Sequence, residues 1–207
     1  TKSSQDEWSE EARRLEGMGL FSDAALAYKK AFDYEKEKNC IKKYYFETND
    51  YEKAGDYFYS LDKIEAVKCY EKIEDKSLEI QVKIFELQEK NEEIGDLFST
   101  IDREKSLLYY NKALSKNKEK LDLKIKILME MVKDTKKTYA SDMLSCLKTL
   151  LIENTPYKEE LKEVLSSYQK NQPDFNREDF NFFKKYKEKI INLYDNKKIN
   201  DFLKDIY

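Results

Sequence analysis

Lysine is the residue type whose spacing most suggests chemistry in this sequence. Lys105, Lys112 and Lys116 recur at offsets of seven and eleven, which places them on one face of a helix. Lys118, Lys120, Lys124, Lys126, Lys133, Lys136 and Lys137 follow, with only Glu119, Asp122, Glu130 and Asp134 among them. A basic stretch of this kind either recognises an acidic peptide or phosphates, or forms an ordinary solvated face. Lysine is common throughout the chain, and the only arginines are Arg13, Arg14, Arg103 and Arg177. Arginine forks are the sharper sign of phosphate or base recognition, so the solvated face is the simpler reading.

Groups that perform catalysis are sparse. The chain has no histidine, which removes the commonest general base, the Ser-His and Cys-His nucleophiles and most transition-metal sites. Gly17-Met18-Gly19 is too short to cradle a phosphate. The carboxylate pairs Glu10-Glu11, Glu92-Glu93 and Glu159-Glu160 are what solvated helix faces carry in a chain that is 39% charged. Cys40, Cys69 and Cys146 are widely spaced, odd in number and without a CxxC. They outline neither a disulfide framework nor a zinc site, and suit a reducing cytosol in which each is a small buried apolar group. No catalytic residue, metal or cofactor is expected. The formal charge of −3 gives no global drive toward nucleic acid or anionic lipid. With no signal peptide, transmembrane run or lipidation motif to read, a cytoplasmic protein without membrane insertion is expected. The sequence begins at Thr1 rather than Met, which fits a fragment of a larger protein.

The elements that position these residues are helices. Only 4 Gly and 2 Pro occur in 207 residues, too few for the turns of a sheet protein. Hydrophobic residues make up 40%, enough to bury a core despite the charge. Three segments, Ala12–Ala31, Ala54–Ile73 and Ile94–Ala113, align without gaps at a spacing of about 40 residues, the range of helical-hairpin repeats. Small residues recur at Ala24, Ala66 and Ser106. An aromatic follows four positions later at Tyr28, Tyr70 and Tyr110, and Ala31, Ile73 and Ala113 follow three after that. Offsets of four and seven share one helix face. The small residue lets two backbones approach, and the ring fills the space beside it.

This pattern resembles the tetratricopeptide repeat. Ala12, Ala54 and Ile94 fall where that family places a small residue on its first helix, Trp8 matches the family's tryptophan, and Gly19 sits at its turn. The likeness is closest over 5–38, continues over 54–73 and 94–113, and ends near 120. Trp8 has no counterpart at Asp50 or Lys90, and the proline that closes the family's units is missing. The resemblance implies an all-α fold, an α-solenoid of antiparallel helical hairpins (TPR-like) with a C-terminal capping helix pair. It implies a scaffold or adaptor that binds another protein, as a peptide or a partner helix, on the solenoid surface. Some members bind acidic C-terminal peptides through a clamp of Lys and Asn. The comparable positions here are Ser9 with Arg13, Tyr51 with Gly55, and Asn91 with Gly95, which do not reproduce it. Candidate partner contacts are Arg13, Tyr51 and Asn91 on first helices, with Lys105, Lys112, Lys116, Lys120 and Lys124. The alternative is an accessory module of a larger machine, helicase-like or of a trafficking complex, suggested by the texture of Lys53–Lys72. Such a module would touch nucleic acid through the basic 105–137 stretch.

Apolar periodicity predicts helices near 5–18, 22–36, 39–47, 51–60, 63–73, 77–89, 91–99, 103–116 and 118–133. Others are expected at 139–153, from Thr155-Pro156 to about 170, and at 177–194 and 198–206. Pro173 marks a break between a repeat array, 1–172, and capping helices of the same solenoid, 173–207.

Overall fold

The computed structural model describes residues 2–118 and 120–133, with isolated positions at 148, 149, 181, 184 and 185. Among them the chain is all-α. Its helices are α1 (Ser4–Gly17), α2 (Phe21–Lys30), α3 (Tyr34–Glu47), α4 (Tyr51–Phe58), α5 (Lys63–Glu71), α6 (Leu78–Leu87), α7 (Asn91–Phe98), α8 (Arg103–Lys116) and α9 (Leu121–Val132). The described residues divide after Glu89 into two compact units, α1–α6 and α7–α9. Within each unit consecutive helices pack on their chain neighbours, the arrangement expected of a helical solenoid. The helices expected between 139 and 206, the boundary at 173, the capping pair and Cys146 lie outside the described residues.

Local chemistry sets the helix ends. The side chains of Ser3, Asp33, Asp62, Ser77 and Asp102 each accept the backbone N–H three residues on, which satisfies one of the orphan donors of a first turn. At the other end, α1 closes on Gly19 at φ +76°, with Gly19 N–H on Glu16 O and Leu20 N–H on Leu15 O.

The break expected between helices 22–36 and 39–47 lies earlier in the chain, at residues 31–33. α2 ends at Lys30 and α3 starts at Tyr34. Phe32 N–H bonds Lys29 O, and Asp33 N–H bonds Tyr28 O, the same closure as at Gly19. Here a phenylalanine takes the left-handed position, at φ 58°. The break frees Asp33 to cap α3.

Unit one holds two apolar clusters. Ala12, Ala24, Ala25, Ala27, Tyr28 and Cys40 form the first, with Trp8, Leu15, Phe21 and Ile41 against it. Ala54, Phe58, Ala66, Cys69, Tyr70, Ile80 and Ile84 form the second. Unit two buries Ile94, Phe98, Leu107, Tyr110 and, on α9, Leu123, Ile125, Ile127, Leu128 and Met131. The alanines of α2 leave room for close helix packing, and Tyr28 and Tyr70 are among the largest fully buried side chains.

Candidate binding surfaces and the braces beneath them

Each set of three consecutive helices is tied by one carboxylate. The Tyr28 hydroxyl on α2 donates to Glu16 on α1 at 2.6 Å, and Lys43 on α3 donates to the same carboxylate at 3.1 Å. On α4–α6, Tyr70 donates to Asp56, and Lys83 joins Asp56 at 3.1 Å. On α7–α9, Tyr110 donates to Asp96 at 2.6 Å, and Lys126 joins it at 3.1 Å. The three rings are buried, while the carboxylates sit at the edge of the packing. A hydrogen bond to a charged acceptor contributes about 1.5–3 kcal/mol, and an exposed ion pair about 0–1 kcal/mol. The tyrosine therefore supplies most of each brace.

The electrostatics follow from that geometry. Burial and then the carboxylate partner raise the tyrosine hydroxyls well above their ordinary range. They stay protonated near neutral pH and cannot serve as bases there. Glu16 is held low by the Tyr28 bond, with Lys43 adding to it. These groups hold helices together rather than move protons.

Aligned positions of the repeat fall as follows. Ala12, Ala24, Tyr28, Ala31, Ala54, Ala66, Tyr70, Ser106 and Tyr110 are buried. Trp8 is half-buried beneath Lys30, whose ammonium lies 4.1 Å from the ring centroid. Ile73 and Ala113 are also half-buried, Ile73 lying just past α5. Ser106 does more than stay small, because its hydroxyl donates to the Gly95 carbonyl at 2.8 Å.

Contact candidates are more scattered. Arg13 is exposed on α1, and its Nε donates to Ser9 O at 3.3 Å. Tyr51 opens α4, half-buried and edge-on to Phe46 at 5.2 Å. Asn91 opens α7 and is half-buried. Lys105, Lys112 and Lys116 are exposed on α8.

The basic stretch does not continue as one surface. Lys120 donates to Glu92, Lys126 pairs with Glu92 at 3.0 Å and with Asp96, and Lys133 pairs with Glu130 at 2.8 Å. Burial alone would raise Glu92, but the bonds from Lys120 and Lys126 outweigh it and hold its carboxyl low. Lys124 is half-buried on α9, and Lys136 and Lys137 lie outside the described residues.

A feature not anticipated from the sequence is an open cleft of about 810 Å³ in unit one, at α1, α2 and α3. Phe21 and Phe46 supply apolar wall, and Lys36, Asn39, Lys42, Lys43, Glu16 and Glu47 supply the rest. Lys43 lies 5.4 Å from the centroid of Phe21, and Lys42 lies 5.4 Å from that of Phe46. Lys42 is engaged by Glu65 at 2.5 Å, whereas Lys36 lies 3.8 Å from Asp33 and 5.6 Å from the centroid of Tyr28. A more polar cleft of about 610 Å³ includes Tyr51 and Lys72.

Comparison with known protein families, characterised proteins and solved structures gives no match. Among the described residues no helix is long and apolar enough to cross a membrane.

Proposed function

We propose that this chain is a non-catalytic protein-binding module, a TPR-like scaffold or adaptor that holds a peptide or a partner helix. The observation that carries this reading is the cleft at α1–α3. Its phenyl rings offer apolar area to bury, and the exposed side chains of Asn39 and Lys36 offer polar groups in its lining, Lys36 meeting Asp33 only at 3.8 Å among the described carboxylates. The cleft stands on the Tyr28–Glu16–Lys43 brace, so its walls are set before a ligand arrives. Preorganisation of that kind lowers the ordering cost of binding. The buried thiols suit a reducing compartment, and a cytoplasmic location is part of the proposal. Burial pushes Cys69 up to about 11 and raises Cys40 as well, which leaves both unreactive.

The test uses the chain as bait in nuclease-treated and untreated lysate of its source, beside the double variant Lys36→Glu, Asn39→Ala. Both positions are exposed, so the variant keeps its fold. A protein that survives nuclease treatment and is lost from the variant supports the reading. Recovery that needs intact nucleic acid and falls with salt would replace it with the accessory-module alternative.

A further inference from the structure

Helix α8 carries a second surface, distinct in place and composition from the cleft. Lys105, Leu108, Tyr109, Lys112 and Lys116 follow one another at helical spacing and share one face. Leu108 is 52% exposed, an apolar side chain between two lysines one turn away on either side. Among the described residues neither Lys105 nor Lys112 takes a carboxylate partner, in contrast to Lys120, Lys126 and Lys133. The acids at the start of the same helix are accounted for differently. Asp102 caps the helix by accepting Lys105 N–H, and Glu104 lies off the strip.

The two ammoniums are placed rather than free to roam. Lys105 lies 5.3 Å from the Phe98 centroid, and Lys112 lies 4.7 Å from that of Tyr109. Those two rings stack at 6.1 Å with 12° between their planes. The result is a ladder of lysine, ring, ring, lysine with a leucine beside it. Seven residues of helix separate the backbone positions of the two lysines by about 10 Å along the helix axis.

Two unneutralised cations with an exposed leucine between them call for a ligand with the opposite pattern. An amphipathic helix with an apolar residue between carboxylates seven apart has the same rise and fits both features at once. A phosphate backbone would satisfy the lysines but leave Leu108 in water. The basic run that would prolong such a track is already neutralised at Lys120 and Lys126. We propose that the Lys105–Leu108–Lys112 strip of α8 docks an acidic amphipathic helix of a partner protein. This site belongs to unit two, and the proposal does not depend on the α1–α3 cleft.

The probe is a labelled peptide of about 21 residues, three heptads with Leu at the a and d positions and Glu at e and g. Its binding to the full chain is followed by fluorescence anisotropy. Saturable binding is expected, weakened by about tenfold or more in Lys105→Glu, Lys112→Glu and clearly weakened in Leu108→Ser. Lys63→Glu, exposed on the first turn of α5 and outside both surfaces, is expected to bind the probe as the parent does. Thermal melting of every variant should match the parent, since all these side chains are exposed. No saturable binding, or equal binding by the double charge reversal, overturns the proposal. So does binding of a labelled oligothymidine of about 20 nucleotides by the strip when the peptide is not bound.

Discussion

The ring of Tyr70 lies where residue 55 has no side chain: a Cβ on Gly55 would stand 2.4 Å from the ring. Gly95 has the same relation to Tyr110, again at 2.4 Å. Both glycines are buried inside helices, where glycine ordinarily costs about 0.5–1 kcal/mol relative to alanine. The cost is offset because the ring gains a seat against the helix backbone while its hydroxyl reaches Asp56 or Asp96 one residue further on.

Gly55→Ala is therefore expected to destabilise the protein by about 1–3 kcal/mol, the cost of overpacking a fixed ring. Gly17→Ala, with nothing within 4 Å of the added Cβ, is expected to be neutral or to stabilise by up to about 1 kcal/mol. Urea denaturation of both variants separates packing from propensity. Two variants shifted in the same direction would mean that the Tyr70 seat is not as close as described.

Within the brace the tyrosine should outweigh the lysine. Tyr70→Phe removes a hydrogen bond to a carboxylate and is expected to cost about 1.5–3 kcal/mol. Lys83→Met removes an ion pair whose Asp56 partner is half exposed, and is expected to cost at most about 1 kcal/mol. A double-mutant cycle with Asp56→Asn should show stronger coupling to Tyr70 than to Lys83. The reverse order would place the stabilisation in the ion pair.

Much of this was legible in the sequence, and the rest was hidden for physical reasons. The small–tyrosine spacing located the buried faces at Ala24, Ala66 and Tyr70, because helix periodicity reports burial directly. The brace partners do carry a signal in the sequence, since Gly-Asp recurs at 55–56 and 95–96 inside the aligned segments. In the first segment the acid is Glu16, two places later in the alignment, which breaks the pattern. Helical spacing relates the lysines only to neighbours on their own helix. Lys120 and Lys126 instead meet acids 28 and 30 residues away, and only tertiary packing brings those together. The cleft combines residues from three helices and has no linear signature.

The turn at Phe32 was illegible because no glycine or asparagine marks it. A phenylalanine at φ 58° is an uncommon solution, and its side chain is 67% exposed, so packing gives little in return. Phe32→Gly is expected to stabilise by roughly 0.5–1 kcal/mol by relieving the left-handed strain. A lower melting temperature for this variant would show that the exposed ring makes a contact that outweighs the strain.

On the acid side, Glu16 and Glu92 have carboxyls held below their ordinary value of 4.5. A depressed group adds stability that is present above its unfolded value and lost as pH falls through the folded one. Stability should therefore decline below about pH 4.5. Glu16→Gln should start lower and decline less steeply over that range. Parallel acid limbs for parent and variant would show that Tyr28 and Lys43 do not favour the ionised Glu16.

The alkaline side depends on groups with raised values, so the sign reverses. Tyr28, Tyr70 and Tyr110 ionise at 10.0 when unfolded and well above that in the folded protein. Their contribution is fully present below pH 10 and is lost as pH rises toward the folded values, because the unfolded chain releases protons first. The thiols of Cys40 and Cys69, raised from 9.0, begin the decline about one unit earlier. Lys83 and Lys126, raised from 10.5 by Asp56, Asp96 and their other acids against the opposing effect of burial, add to it above that. The dependence of unfolding free energy on pH should thus steepen near pH 10. Tyr70→Phe removes one of these protons, and its slope between pH 10 and 12 should be shallower by about one proton, or about 1.4 kcal/mol per pH unit. The measurement is a series of urea titrations across that range on the parent and the variant. Equal slopes would mean that Tyr70 ionises as readily in the folded chain as in the unfolded one, which is incompatible with a buried hydroxyl bonded to Asp56.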